Sequence, residues 1–214
     1  MKAGTPYNCI YCTSKTFFWG GGGEQTHTFS RGSSFPEFFS ITGNAGNPLF
    51  LSEIARTIIQ QCSKAKVKTK PALDGVEAQW AEIQEGMVAY VCFFHGATED
   101  VTHEMGNRLM TTKLFRKENG RSISVLDLPG SILLIPQESL VGRPLTKRRI
   151  QYKGGCEQWW GAQLFSNLVS ACRELMSASA KCTEAGGRVE QGVYGPKQEI
   201  VLNSQEPLTL LLEF

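Results

Sequence analysis

Few residues of this chain have both the type and the setting for chemistry, and most of them fall in one segment, 131–149, SILLIPQESLVGRPLTKRR. Its apolar run, 132–135, is short and β-branched enough for a strand buried on both faces, and it stops at Pro136. Proline lacks a backbone donor and fixes φ, so it suits the end of such a strand, where the carboxamide of Gln137 reaches the surface. A hydroxyl follows at Ser139. As a nucleophile Ser139 lacks a neighbouring base, so a pocket hydrogen bond is the better role for it. Beyond Gly142 the segment turns basic, with Arg143, Lys147, Arg148 and Arg149, the residue types that meet phosphate oxygens.

Other chemistries find no support. The sequence has no G-x-S-x-G, P-loop, HExxH or dinucleotide-binding fingerprint. Its three histidines, His27, His95 and His103, form no pair at ligand or triad spacing. His95 follows a buried strand, where a base could stand, but a turn-capping imidazole is the simpler reading. Seven cysteines in apolar contexts, such as 91–93 and 171–172, read as buried thiols in a reducing compartment. Cys9 and Cys12 make a CxxC with no second pair or histidine at ligand spacing, so neither zinc nor another cofactor is expected. No run reaches the length of a membrane span, and no secretory signal opens the sequence, so the expected location is the cytoplasm.

Charge matters here through its distribution. The 22 basic and 20 acidic residues leave only +2. Lys64, Lys66, Lys68 and Lys70 alternate with Ser63, Ala65, Val67 and Thr69, which on a strand puts four ammonium groups on one face. Either basic cluster alone fits a solvated face that protects a sheet edge. Together, flanking one candidate site, they suit a polyanionic ligand.

These residues need elements to hold them. Residues 1–50 have Gly20 to Gly23, a turn cluster at 44–48 and no helical or strand period, so they read as a disordered extension. Few acidic residues there also permit a transit peptide, although no Arg-rich amphipathic helix can be drawn. Residues 51–214 form one domain. Extended chain at 54–61 and 65–70 reverses at Leu73-Asp74-Gly75 into a strand at 78–83 with the lysines outward. MVAYVCFF, 87–94, must be a central strand covered on both sides. A helix over 98–113, capped by Thr98 or Asp100, packs Val101, Met105, Leu109 and Thr112 on the sheet. A strand nearer an edge is expected at 122–126. The longest helix, 157–176, carries Trp160, Leu164, Leu168, Cys172 and Leu175 on one face, and strands at 188–191, 198–202 and 209–213 close the chain. Two helices and about seven strands make an α/β or α+β fold with one core.

From about residue 56 onward the sequence resembles the D-aminoacyl-tRNA deacylase family, and within it the animal-type branch that clears mischarged alanine. The resemblance lies in GMVAYVCFFHG (86–96), SVLDLPGSILLIPQESLVG (124–142), the helix 164–176 and the ending LTLLLEF. Pro136-Gln137 stands where that branch has Pro-Gln and the founding branch Ser-Gln. Ser139 takes the place of a usual threonine. The resemblance implies an α/β fold of mixed β-sheets forming a partial barrel with two main helices. It also implies a proofreading hydrolase acting on the aminoacylated 3′ end of tRNA, without cofactor or metal. The family works as a homodimer, each site receiving a Gly-Pro dipeptide from the partner's terminal hairpin.

Catalysis in such proteins leans on backbone groups and on the 2′-hydroxyl of the terminal adenosine, which fits the lack of a triad here. On that pattern Pro136, Gln137, Ser139, Glu206 and Pro207 build the catalytic site. Tyr194 and Thr209 bind substrate with Arg143, Lys147, Arg148 and Arg149; Tyr194 aligns with an aromatic near the terminal adenine, although covering the core would explain it equally. One departure stands out: the family's glycine is replaced by Glu206, which could intrude on the acyl pocket or repel phosphate. Two further readings therefore stay open, a non-catalytic tRNA- or RNA-binding protein that lost activity through Glu206, and a small-molecule esterase built on Ser139.

Overall fold

A computed structural model describes residues 53–214. The expected extension over 1–50 and its CxxC lie outside the described residues. The fold grows from residues with no polar side to show to water. Strand β4, fourth in the order β1 (Ala55–Cys62), β2 (Lys64–Lys70), β3 (Gln79–Ile83), β4 (Gly86–Phe93), is buried along its length apart from Tyr90. It takes the middle of a five-stranded sheet, as a strand that needs cover on both faces must.

Helix α1 (Glu99–Thr111) and the short pair β5 (Phe115–Arg116) and β6 (Ser122–Ile123) lead to β7 (Ser131–Pro136), which runs parallel to β4 with Gly86 beside Ser131 and Val91 beside Pro136. The hairpin β8 (Arg143–Pro144) and β9 (Ile150–Gln151) then precedes helix α2 (Gln158–Ser177) and helix α3 (Ala180–Ala185). Strand β10 (Val189–Gln191) pairs parallel with the outer side of β7. The last strands are β11 (Ile200–Asn203) and β12 (Thr209–Glu213). The main sheet reads β10-β7-β4-β1-β12, and a second sheet β11-β2-β3.

Alternation sorts the side chains of β4 and β7 into two cores. Met87, Ala89, Val91, Ile132 and Leu134 meet Met105 and Leu109 of α1 and Leu164, Leu168 and Cys172 of α2. Val88, Leu133 and Ile135 point the other way, onto Ala65, Val67 and Ile83 of the second sheet. The result is three layers: helices, main sheet, small sheet. Each fully buried leucine on this scaffold is worth about 2 kcal/mol of transfer free energy. The central strands, the outward lysines of β2 and the two long helices match the sequence expectations.

Several expectations need correction. The described residues hold three α-helices; α3 is a short segment after α2, with Ser179 accepting from the Cys182 amide and Gly186 in the left-handed conformation. The edge strand expected over 122–126 stops at Ile123, because the Ser124 hydroxyl and amide both turn to the Asp127 carboxylate. Short strand pairs raise the number of strands above seven. Thr98 stands at the N-cap of α1 without a side-chain cap bond. The α/β fold of mixed sheets is as expected, with no closed barrel among the described residues: the two sheets meet where the chain passes from Cys62 to Lys64 and remain separate sheets. β11 and β12 are not a hairpin. β11 pairs with β2, Ile200 opposite Val67, whereas β12 pairs with β1, Arg56 opposite Glu213. The loop 204–208 therefore crosses from one sheet to the other. Among the described residues no helix is long and apolar enough to cross a membrane.

The close approach of β4 and β7 at their start depends on Gly86, because a Cβ there would run into the Ser131 backbone. Gly86→Ala is expected to destabilise the domain by about 3 kcal/mol, read as a lower midpoint in urea unfolding. A midpoint within experimental error of the parent would show that the two strands separate at little cost.

Candidate active site

Strands β4, β7 and β10 are parallel, so their carboxyl ends reach the same edge of the sheet. The chain leaving such ends turns away from its neighbours and opens a crevice, which is where open α/β sheets bind ligands. A cavity of about 590 Å³ lies there, between Cys92 and Phe93 at the end of β4, Glu138 and Ser139 after β7, and Tyr194 after β10. Tyr152, Cys156 and Gln158, at the entry to α2, complete its wall. Residues 138–139 also border a second cavity, about 540 Å³, lined by Pro136, Gln137, Lys197 and Gln198.

The segment singled out by sequence is thus the partition between two cavities. Pro136 ends β7, and the Gln137 amide donates to the Val91 carbonyl at 2.7 Å, tying the turn to β4. Its side-chain Nε2 donates to Ser139 Oγ at 2.7 Å, so the hydroxyl is held by a carboxamide rather than activated by a base. Among the described residues the amides of Glu138 and Ser139 have no acceptor. Two backbone donors therefore stand beside the cavities.

The basic residues divide into two unlike groups. Arg143, Lys147, Arg148 and Arg149 ride on the β8–β9 hairpin, fully in solvent, and none takes part in an ion pair with another described residue. Lys147 and Arg148 hold φ of 63° and 60°, a left-handed conformation disfavoured for any residue with a Cβ, which crowds the following carbonyl oxygen. Gly142 lets this hairpin fold against Tyr152, since a Cβ would press on the Tyr152 ring at 2.9 Å. On β2, by contrast, Lys64 pairs with Glu82 at 2.7 Å and Lys68 with Glu199. Lys66 and Lys68 also sit over the Trp80 ring, 4.3 and 4.9 Å from its centroid. Much of that face is neutralised, so the two clusters do not add up to one field.

Tyr194 is anchored inward. Its ring lies 6.0 Å from Phe165, and its hydroxyl fills the notch left by Gly161, where a Cβ would collide with it. Burial raises its pKa, and the neighbouring Cys156 and Glu138 charges raise it further. It lines the cavity while also covering the core. Glu206 and Pro207 lie in the exposed crossing loop and line neither cavity of their own chain. No described peptide bond is cis. The Glu206 carbonyl is occupied by the Ser204 hydroxyl and by the Leu208 amide at 2.8 Å. Thr209, opposite Gln60, is exposed at the start of β12.

Four cavity residues escaped sequence reasoning: Cys92, Glu138, Tyr152 and Cys156. Cys92 and Glu138 lie inside segments that carry the family resemblance but were given no site role there, Tyr152 and Cys156 lie outside them, and the four meet only through the fold. Burial pushes the Cys92 thiol up to about 12 and raises that of Cys156. Both thiols are therefore protonated near neutral pH and poor nucleophiles. His95 is exposed and far from a base role, its amide bonded to the Gly154 carbonyl at 2.7 Å. No group of His, Cys, Asp and Glu among the described residues could hold a metal ion.

Comparison with known proteins agrees with this architecture. A family profile described as D-Tyr-tRNA(Tyr) deacylase matches residues 58–213. The chain is 45% identical to D-aminoacyl-tRNA deacylase 2 of Gallus gallus over 161 residues, 75% of this chain and 96% of that protein. It is 44% identical to the Homo sapiens protein of the same name, over 75% of this chain and 95% of that one. A D-aminoacyl-tRNA deacylase of Halorhodospira halophila is 28% identical, over 73% and 93%. Among solved structures, a probable eukaryotic D-amino acid tRNA deacylase superposes with a TM-score of 0.60 at 20% identity, covering 75% of this chain and 99% of the other. A c-Myc DNA unwinding element binding protein gives the same TM-score at 17% identity, over 74% and 98%. Both share its fold. On its sequence and on its three-layered α/β structure, this chain belongs to the D-Tyr-tRNA(Tyr) deacylase family.

Proposed function

We propose that residues 51–214 form an aminoacyl-tRNA deacylase domain, which hydrolyses the ester of mischarged tRNA in the cytoplasm, with L-alanyl-, glycyl- and D-aminoacyl-tRNA as substrates. One observation carries this: a cavity at the carboxyl ends of three parallel strands, with two backbone amides free beside it and no nucleophile paired with a base. An aminoacyl ester is already activated. Its hydrolysis needs water placed on the carbonyl and the oxyanion stabilised, and unpaired amides at Glu138 and Ser139 suit the second task. Gln137 and Ser139, bonded to each other, suit the first. Support for tRNA as the carrier comes from the relatives' names and from the exposed cationic hairpin beside the cavity.

The site is completed by a second copy of the chain. Glu206 and Pro207 reach neither cavity of their own protomer, so any part they take is played in a partner. β12 is an edge strand with Leu210 and Leu211 in solvent, an apolar edge of the kind that pairs rather than stays bare. With the Glu206 carbonyl engaged inside its own loop, the Pro207 carbonyl and the Glu206 side chain are what the loop offers across the interface.

The test is turnover. Purified protein with alanyl-, glycyl- and D-aminoacyl-tRNA is expected to release free amino acid, whereas tRNA binding without ester loss would favour a non-catalytic binder. Hydrolysis of simple esters without tRNA would favour an esterase. Glu206→Gly is expected to change the ratio of alanyl to D-aminoacyl turnover, and an unaltered ratio would remove this residue from selectivity. Replacing Lys147 and Arg148 by Asn and Gly relieves left-handed strain and is expected to stabilise the domain by about 1 kcal/mol. The same change is expected to weaken tRNA binding and to lower the slope of log affinity against log salt by about 1.4. An unchanged salt slope would mean that the hairpin does not touch phosphate.

A further inference from the structure

The larger cavity has a distinctive charge pattern. Of the residues that line it, Glu138 has the one acidic side chain and none is basic; the others are glycines, apolar groups, hydroxyls, phenols, thiols and the Gln158 carboxamide. Glu138 borders both cavities, and its charge bears on Cys92, Cys156 and Tyr194, which line the larger one. No described cation pairs with it. Arg56 is engaged by Glu53, Glu213 and the Leu140 carbonyl. Lys197 lines the second cavity, which Glu138 also borders, and makes no ion pair with it.

A concave site with one carboxylate that no described cation pairs favours a cation through direct attraction. It disfavours an anion for the same reason. Every unmodified aminoacyl ester brings one cation to the reacting end, its α-ammonium, two bonds from the carbonyl carbon. We propose that Glu138 makes the larger cavity an ammonium subsite that selects esters with a free α-amino group. The subsite rests on the deacylase reading of the same cavity and deepens it. Peptidyl-tRNA and other N-acylated esters would then be spared because their nitrogen is neutral, without any steric gate.

Ester loss from alanyl-tRNA and N-acetyl-alanyl-tRNA, each corrected for spontaneous hydrolysis, reads this directly. The full chain is expected to favour the free amine by about tenfold or more in kcat/KM, the worth of one charge-assisted hydrogen bond. Glu138→Gln should bring the two substrates within about twofold, and Glu138→Asp should restore part of the preference, which a merely structural role would not do. Equal rates on both substrates in the parent protein, or a ratio untouched by Glu138→Gln, would overturn the proposal. Should the parent protein cleave neither, the deacylase reading fails by itself. Calorimetry with alanine joined by an amide to 3′-amino-3′-deoxyadenosine, and with its N-acetyl form, then decides the subsite. Tighter binding of the free amine, lost in Glu138→Gln, supports it; equal binding overturns it.

Discussion

The parallel pairing of β4 with β7 is the constraint on which the rest depends. Both strands are apolar on both faces, so each demands a layer above and a layer below, and that demand places the helices on one side and the small sheet on the other. Parallel strands also end together. Once Val91 stands beside Pro136, the polar residues that follow each strand are brought to one edge, and a cavity there follows from the register. Gly86 sets the register at the opposite end by allowing the backbones to touch. The placement of residues 137–139 thus relies on a contact some five residue pairs away along the strands.

Much of this was legible in the residues themselves. An unbroken run such as 87–94 has only one home in an α/β domain, and Pro136 can stand only where pairing stops. The lysines of β2 declared their face through period-two alternation with Ala65 and Val67, both of which are buried. What could not be read were partners. β11 and β12 each look like one arm of a hairpin, and nothing local to 203–208 reveals that the two arms join different sheets. That choice is made by β1 and β2, about 140 residues earlier in the chain, each offering an open edge. Two-residue strands such as β8 and β9 are likewise too short to carry a period.

The site was half legible for a related reason. That Gln137 and Ser139 border a cavity could be expected because a strand, a proline and a polar turn follow one another in the chain. Cys92, Tyr152 and Cys156 could not, because each sits in an ordinary context and acquires a neighbour only in three dimensions. Counting charges misled in the other direction: four lysines in a row of alternation looked like an open cationic face, yet Glu82 and Trp80 of β3 and Glu199, just before β11, absorb much of it. Charge that stays available is found where the backbone projects away from everything else, on the β8–β9 hairpin.

The pairing of β1 with β12 carries a consequence for how the molecule comes together. Arg56 meets Glu213 across 157 positions of sequence, and β4 stands beside β1 on the other side. Loop closure of that span must precede any return from the contacts it makes, and domains built on such distant pairings fold slowly. Until β12 arrives, β1 is a bare edge on an otherwise assembled sheet, open to the wrong strand of another chain. The speed with which residues 209–213 find their place therefore governs how much of the protein survives its own synthesis at high concentration.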